Sequence, residues 1–410
     1  MKKTLILAFT ILSCLLPAKA QKSVDEQIRK LIISTITINN YYVDSVNTEK
    51  LVEDAIRGMI EKLDPHSAYS TAEQTNRLNE PLQGSFDGIG IQFNILDDTL
   101  MVIQTITGGP SEKAGVMAGD RIISVGDSAI AGVKMPQEDI MKKLRGPRGT
   151  KAHLGIIRER IDETIYIDVV RDKIPLNSVD AAFMVTPHTG LIRFSNFAIT
   201  THKEVVDAIN KLKGQGMKNL ILDVTQNGGG FLQAAAEIAS ELLPKNDLIV
   251  YTQGRAIQPQ QFLSRGGNAF QDGKVIILVD EYSASAAEIL AGAVQDQDRG
   301  LVVGRRTFGK GLVQRPVDLP DGSMIRLTIA KYYTPSGRCI QKPYEKGKQQ
   351  EYRMDVINRF NHGELTNADS IHFPDSLRFQ TLKKGRTVYG GGGIMPDYFV
   401  PLDTTKNTSL

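Results

Sequence analysis

Ser285 lies in the run Val279-Asp280-Glu281-Tyr282-Ser283-Ala284-Ser285-Ala286-Ala287-Glu288-Ile289-Leu290. The apolar residues ending near Asp280 read as a buried strand, and the alanine-rich stretch after Ser285 reads as a helix. A serine at that junction sits beside free helix N–H groups and the positive end of the helix dipole. Such a place suits a nucleophile, because the Ala286 N–H can point at a developing oxyanion. The segment also admits a plainer reading. Ser285-x-x-Glu288 is a capping box, and most such sequences only cap.

A serine nucleophile needs a base. The histidines at 66, 153, 188, 202, 362 and 372 lie in no triad-like setting, and no Gly-x-Ser-x-Gly elbow occurs. Lys310, in Thr307-Phe308-Gly309-Lys310-Gly311-Leu312-Val313-Gln314, is the better candidate. A lysine held in an apolar segment is desolvated, its pKa falls toward neutrality and a lone pair becomes available. Gln314 offers a donor and an acceptor, so it can orient that amine without adding charge. The plain alternative for Gly-Lys-Gly is a surface turn. Phosphate binding is disfavoured, because the Walker spacing is missing.

These residues need a scaffold. The segment 172–344 alternates strand-like runs (189–194, 219–224, 248–251, 274–279, 301–303, 324–333) with helical patterns at 203–212, 230–242 and 286–294, which predicts an α/β layer with largely parallel strands. Upstream, Leu51, Val52, Ala55, Ile56, Met59, Ile60 and Leu63 form an apolar stripe at helical spacing, with Thr48 as the expected N-cap and Asp64-Pro65 as the stop. The helical region 21–81 also carries Leu31, Ile32, Tyr41 and Tyr42, residues suited to packing or to self-association. The C-terminal segment 345–410 is polar until the run Gly390-Gly391-Gly392-Gly393, expected to mark a tight return onto the core.

Between these parts, the stretch 82–171 holds short strands and two short helices, the pattern of a small partly open β-barrel. It resembles a PDZ domain on Gly88-Ile89-Gly90-Ile91 and on the series Gly108-Gly109-Pro110-Ser111-Glu112-Lys113-Ala114-Gly115 leading to Asp120-Arg121-Ile122-Ile123. Convergent amides at Gly88, Ile89, Gly90 and Ile91 would hold a peptide's terminal carboxylate, and the adjacent strand edge would add a peptide strand.

Taken together, Ser285 with Ala284 and Glu288, the segment Thr307 to Gln314, and Leu222-Asp223-Val224-Thr225-Gln226-Asn227-Gly228-Gly229-Gly230 resemble the C-terminal processing peptidases of the tail-specific serine protease family. The resemblance runs from about residue 25 to 401 and includes Asp64-Pro65-His66-Ser67. It implies a crotonase-like α/β peptidase core with an inserted PDZ domain. It also implies Ser285 as nucleophile, Lys310 as general base, Gln314 as its companion, and Ala286 with Gly229 as oxyanion donors. Arg145 would join the PDZ block to the core, and no metal or cofactor would be needed. Thr225 stands where the family usually has arginine, and Ala287 where a third serine is frequent.

The expected activity is therefore a serine endopeptidase that takes polypeptides by their exposed C-termini. A non-catalytic PDZ adaptor or chaperone has no use for Ser285, Lys310 and Gln314 together. A crotonase-like acyl-CoA enzyme has no use for a PDZ domain.

Composition sets the outer limits. The chain has 410 residues, 23% of them charged, with 49 Lys+Arg against 46 Asp+Glu. That balance is no nucleic-acid footprint. Two cysteines, Cys14 and Cys339, support neither a disulfide scaffold nor a cysteine zinc site. Residues 1–20 read as an export signal: Lys2 and Lys3, an apolar run from Leu5 to Leu16, then Ala18-Lys19-Ala20. A lipoprotein signal at Cys14 is the rival, with Leu12 a poor fit. Cleavage after Ala20 would remove Lys2, Lys3 and Lys19, the whole of the +3 net charge. These features imply a periplasmic destination, and no later stretch is long and apolar enough to span a membrane.

Overall fold

The computed structural model describes residues 24–404, so the signal sequence and Cys14 lie outside the described residues. The chain opens with a helix over 24–41 (α1) and a second at Thr48–Glu61 (α2). Asn47, not Thr48, caps α2: its side chain accepts from the Lys50 N–H, and Thr48 is the first helical residue. Strand β1 (Ala68–Ser70) comes next, and then α3 (Ala72–Gln83), started by a capping box between Thr71 and Gln74 and stopped at Gly84.

The PDZ block is entered through β2 (Ser85–Gly88). Its strands and helices are β3 (Ile91–Leu96), β4 (Thr99–Thr105), α4 (Pro110–Ala114), β5 (Arg121–Val125), β6 (Ser128–Ala129), α5 (Gln137–Leu144), β7 (Lys151–Ile157) and β8 (Ile165–Val170). The sheet runs β3-β4-β5-β7-β8 as an open path with β6 on β5. Leu100, Ile122, Leu154, Ile156 and Val169 alternate inward to form a core separate from that of the peptidase. The exit strand β9 (Asp172–Pro175) pairs antiparallel with β2, so one two-stranded ribbon carries the chain in and out.

The peptidase core comprises β10 (Val179–Thr186), β11 (Thr189–Phe194), α6 (Thr201–Gly214), β12 (Asn219–Asp223), α7 (Leu232–Leu242), β13 (Leu248–Gln253), β14 (Gln260–Leu263), β15 (Val275–Val279), α8 (Ala286–Asp296), β16 (Leu301–Gly304), β17 (Leu312–Asp318) and β18 (Met324–Tyr333). Beyond it lie α9 (Gln349–Arg353), α10 (Asp355–Asn361), the hairpin β19 (Arg378–Gln380) with β20 (Thr387–Tyr389), and β21 (Tyr398–Phe399).

One sheet has the order β10-β11-β12-β15-β16-β21, parallel from β11 onward. A second sheet, β1-β18-β13-β14 with β17 on β18, is antiparallel throughout. Helix α8 is buried at every residue and touches β16 of the first sheet and β13 of the second. Its alanines and Gly292 make that close packing possible, because a helix apolar all round belongs in a core. In the glycine run, Gly391 and Gly393 donate to the carbonyls of Cys339 and Ile340, and β21 then extends the parallel sheet.

Candidate active site

Asp280, just past the end of β15, organises the turn into α8. Its Oδ1 accepts from the N–H groups of Gln226, Tyr282 and Ser283, which ties the loop after β12 to the loop before α8. The Ser283 hydroxyl donates to the Val224 carbonyl at 2.7 Å, and the Ala284 N–H to the Asn227 carbonyl at 2.9 Å. Ser285 is thereby held at φ 57°, ψ −112°, a conformation a non-glycine residue adopts only where its surroundings impose it.

Glu288 does more than close a capping box. It is fully buried and accepts four hydrogen bonds: from the Ser285 N–H (2.8 Å), the Lys310 N–H (2.8 Å), the Gly309 N–H (2.7 Å) and the Thr307 hydroxyl (2.6 Å). Burial pushes its carboxyl up to about 7 against the pull of those donors. Tyr332, also buried, donates its hydroxyl to the Ser285 carbonyl at 3.2 Å and to the Lys310 carbonyl. Two side chains thus clamp the main chains of Ser285 and Lys310 together.

Lys310 Nζ donates to Gln314 Oε1 at 3.0 Å, and Gln314 Nε2 donates to the His66 carbonyl. Burial lowers the Lys310 ammonium to about 8, and the nearby Arg326 charge adds to the fall. His66 is held neutral, its pKa lowered to about 4 by burial and by Lys310, with Nε2 2.7 Å from the Tyr352 hydroxyl. It supports the site through its carbonyl and does not pair with Ser285.

Gly229 approaches the serine closely. A Cβ there would lie 2.8 Å from Ser285 Cβ and 2.9 Å from the Ala286 nitrogen, so only glycine fits. The Gly229 N–H, expected to face an oxyanion, instead donates to Asn227 Oδ1 at 2.9 Å. Ala286 is the first residue of α8, where main-chain N–H groups have no partner within the helix. Thr225 bonds its local Asp223, through N–H and hydroxyl.

Ser285, Lys310, Gln314 and Gly228 to Gly230 line one cavity of about 780 Å³. Its remaining walls are mainly apolar and include Phe231, Leu232, Phe262, Ile289 and Met324, together with Leu78, Pro81 and Leu82 of α3. The PDZ glycines are elsewhere. Gly88 ends β2, Ile89 is buried, and the carbonyls of Ile89 and Gly90 accept from Ser111 and Ile106. Arg145 meets Glu80 of α3 with two contacts of 2.8 and 2.6 Å and lies over the Phe86 ring. The residue thus joins the PDZ block to the helix that walls the cavity.

Sequence reasoning missed Tyr332, Asn227 and the bridging role of Glu288. Glu288 was visible as the partner in the capping box, whereas Tyr332 gives no local signal.

Residues 188–349 match peptidase family S41, residues 88–173 a PDZ domain, and residues 14–74 the N-terminal domain of the activating protease CtpB. The chain is 35% identical over 309 residues to the carboxy-terminal-processing protease of Bartonella bacilliformis, covering 74% of this chain and 70% of that one. It is 33% identical over 365 residues to the carboxy-terminal processing protease CtpA of Bacillus subtilis, covering 86% and 76%. The solved photosystem II D1 C-terminal processing protease is 28% identical, over 77% of this chain and 90% of that one, with a TM-score of 0.42.

Proposed function

The chain belongs to peptidase family S41, the carboxy-terminal processing proteases, and from that premise we propose that Ser285 is its nucleophile and Lys310 its general base. Membership makes it a serine protease with a PDZ domain rather than a non-catalytic peptide-binding adaptor. The observation that carries the residue assignment is the shared anchoring of Ser285 and Lys310 on Glu288, at the wall of a cavity wide enough for a peptide.

In this reading Ser285 Oγ bonds to the scissile carbonyl carbon while its proton passes to neutral Lys310 Nζ. The oxyanion is met by the Ala286 N–H and by a main-chain N–H of Gly228 to Gly230. Gly229 serves there once Asn227 releases its N–H. The C–N bond then breaks, and Lys310 returns the proton to the leaving amine. Water, deprotonated by the same lysine, opens the acyl-enzyme. Gln314 holds Nζ in line through its Oε1 while its own Nε2 is anchored on the His66 carbonyl.

The Gly88–Ile91 turn of the PDZ domain would take the substrate's terminal carboxylate, and the Arg145–Glu80 pair would report its occupancy to α3. Residues 1–20 would direct export to the periplasm. The apolar surface of α1, with Ile28, Leu31, Ile32 and Ile36 all about half exposed, would serve self-association. Replacing Ser285 or Lys310 with alanine and following cleavage of an unfolded polypeptide tests the core of this reading. Loss of cleavage with the fold intact is the expected result, and retained cleavage in either variant refutes it.

A further inference from the structure

Among the described residues, three cations line the catalytic cavity, Lys310, Arg315 and Arg326, and no carboxylate does. Arg315 is exposed, whereas Arg326 is largely enclosed. Arg326 projects from β18, where its cross-strand neighbours are Ala68 on β1 and Pro316 on β17, and neither can offer an anion. Its Nε is buried with no hydrogen-bond partner, and among the described residues no carboxylate comes within ion-pair distance of the guanidinium.

Two carboxylates of the surrounding site are engaged with other donors. Asp64 accepts from the His66 N–H, the Ser67 N–H and hydroxyl, and the Thr328 hydroxyl. Glu288 is consumed by its four donors. A partly desolvated guanidinium without a counter-ion is unfavourable, and arginine's planar fork matches a carboxylate bidentately. A cation left open toward a peptide-sized cavity therefore lacks a partner that the substrate can bring.

We propose that Arg326 forms a carboxylate-binding subsite in the catalytic cavity, which selects peptides presenting either an aspartate or glutamate side chain or a free terminal carboxylate beside the scissile bond. The inference rests on the Ser285–Lys310 reading, because it places the scissile bond in this cavity. The lowered pKa of Lys310 fits the same arrangement: Arg326 lines the same cavity, and its charge adds to the fall that burial causes.

The test uses the full-length protein and matched peptides, with Glu or Gln at each position flanking the cleaved bond and with a free or amidated C-terminus. Because Arg326 also influences Lys310, kcat/KM is read on the alkaline plateau of each pH profile, where the lysine is neutral. Wild type should prefer one carboxylate form over its neutral counterpart by about tenfold to a hundredfold, the range for a hydrogen bond to a charged group. Preference for Glu over Gln identifies a side-chain carboxylate, and preference for the free acid over the amide identifies a terminal one. Arg326→Met should remove that preference, its kcat/KM falling to the same value on the charged and neutral members of the pair, and Arg326→Lys should restore part of the preference. A Ser285-dependent wild type indifferent to both pairs overturns the inference while leaving the mechanism standing. An equal loss on all peptides in Arg326→Met also overturns it. Activity that survives Ser285→Ala refutes the mechanism instead.

Discussion

The main-chain N–H groups of Ser285 and Lys310 donate to the same oxygen, Glu288 Oε2, each at 2.8 Å. The proposed nucleophile, at the N-cap of α8, and the proposed base, on a loop 25 residues later, are therefore tied through one oxygen, with Tyr332 joining their carbonyls as well. In Glu288→Gln the amide nitrogen would face donors, leaving buried N–H groups without acceptors at about 1–3 kcal/mol each. The variant should lose on the order of 2–4 kcal/mol in urea unfolding and more than tenfold in kcat. Normal kcat in a folded variant would show that the shared anchor is dispensable.

In the proposed mechanism, protonation of Lys310 sets the acid limb of activity. The amine acts only when neutral, so kcat/KM should rise with pH and level off above about 8, the value to which burial and Arg326 lower it. A profile with its limb near the ordinary lysine value of 10.5 would contradict a desolvated base.

Gln314 holds Lys310 Nζ through a neutral oxygen. Gln314→Glu would put a charge there, favour the ammonium and move the acid limb to higher pH by about one unit or more. The measurement is again the pH profile. An unshifted limb would mean the glutamine does not bear on the lysine's protonation.

Stability should track the same two buried groups with opposite signs. Glu288 binds its proton more tightly folded than unfolded, so between pH 4.5 and about 7 its linkage makes stability fall as pH rises. Lys310 binds its proton less tightly when folded, so between about 8 and 10.5 stability rises with pH. Urea midpoints of wild type and Lys310→Met should converge toward the alkaline end of that window as the wild type gains. Parallel curves throughout would exclude a shifted lysine.

The Arg145–Glu80 pair crosses from the PDZ block to α3 with both side chains about one-third exposed, so its worth to global stability is small. Its reach into α3, which walls the cavity, is another matter. Arg145→Glu should change basal peptide cleavage at least threefold without lowering the melting temperature, and adding Glu80→Arg should restore the wild-type rate. Unchanged rates in the single variant would remove the pair from the coupling.

Local pattern made much of this legible before any coordinates. Strands 189–194 and 324–333 stand where the alternation placed them, and Ser285, Lys310 and Gln314 line one cavity. What escaped was set by long-range contacts. Strand β1 is three residues long, and its existence depends on pairing with β18, more than 250 positions away. The Gly229 N–H turned from the cavity because Asn227 competes for it, a choice between neighbours that spacing cannot reveal. Asn47 rather than Thr48 caps α2 because either residue type caps well and only the backbone decides.

One measurement bears most directly on the central claim that Lys310 activates Ser285: kcat/KM for a single peptide in wild type, Ser285→Ala and Lys310→Ala, with folding verified by circular dichroism. The account predicts loss of at least roughly a thousandfold in both variants, alike in size because the two residues act as a unit. Lys310→Ala cleaving within about tenfold of wild type, while Ser285→Ala is inactive, would leave the serine its role and take the base away from Lys310.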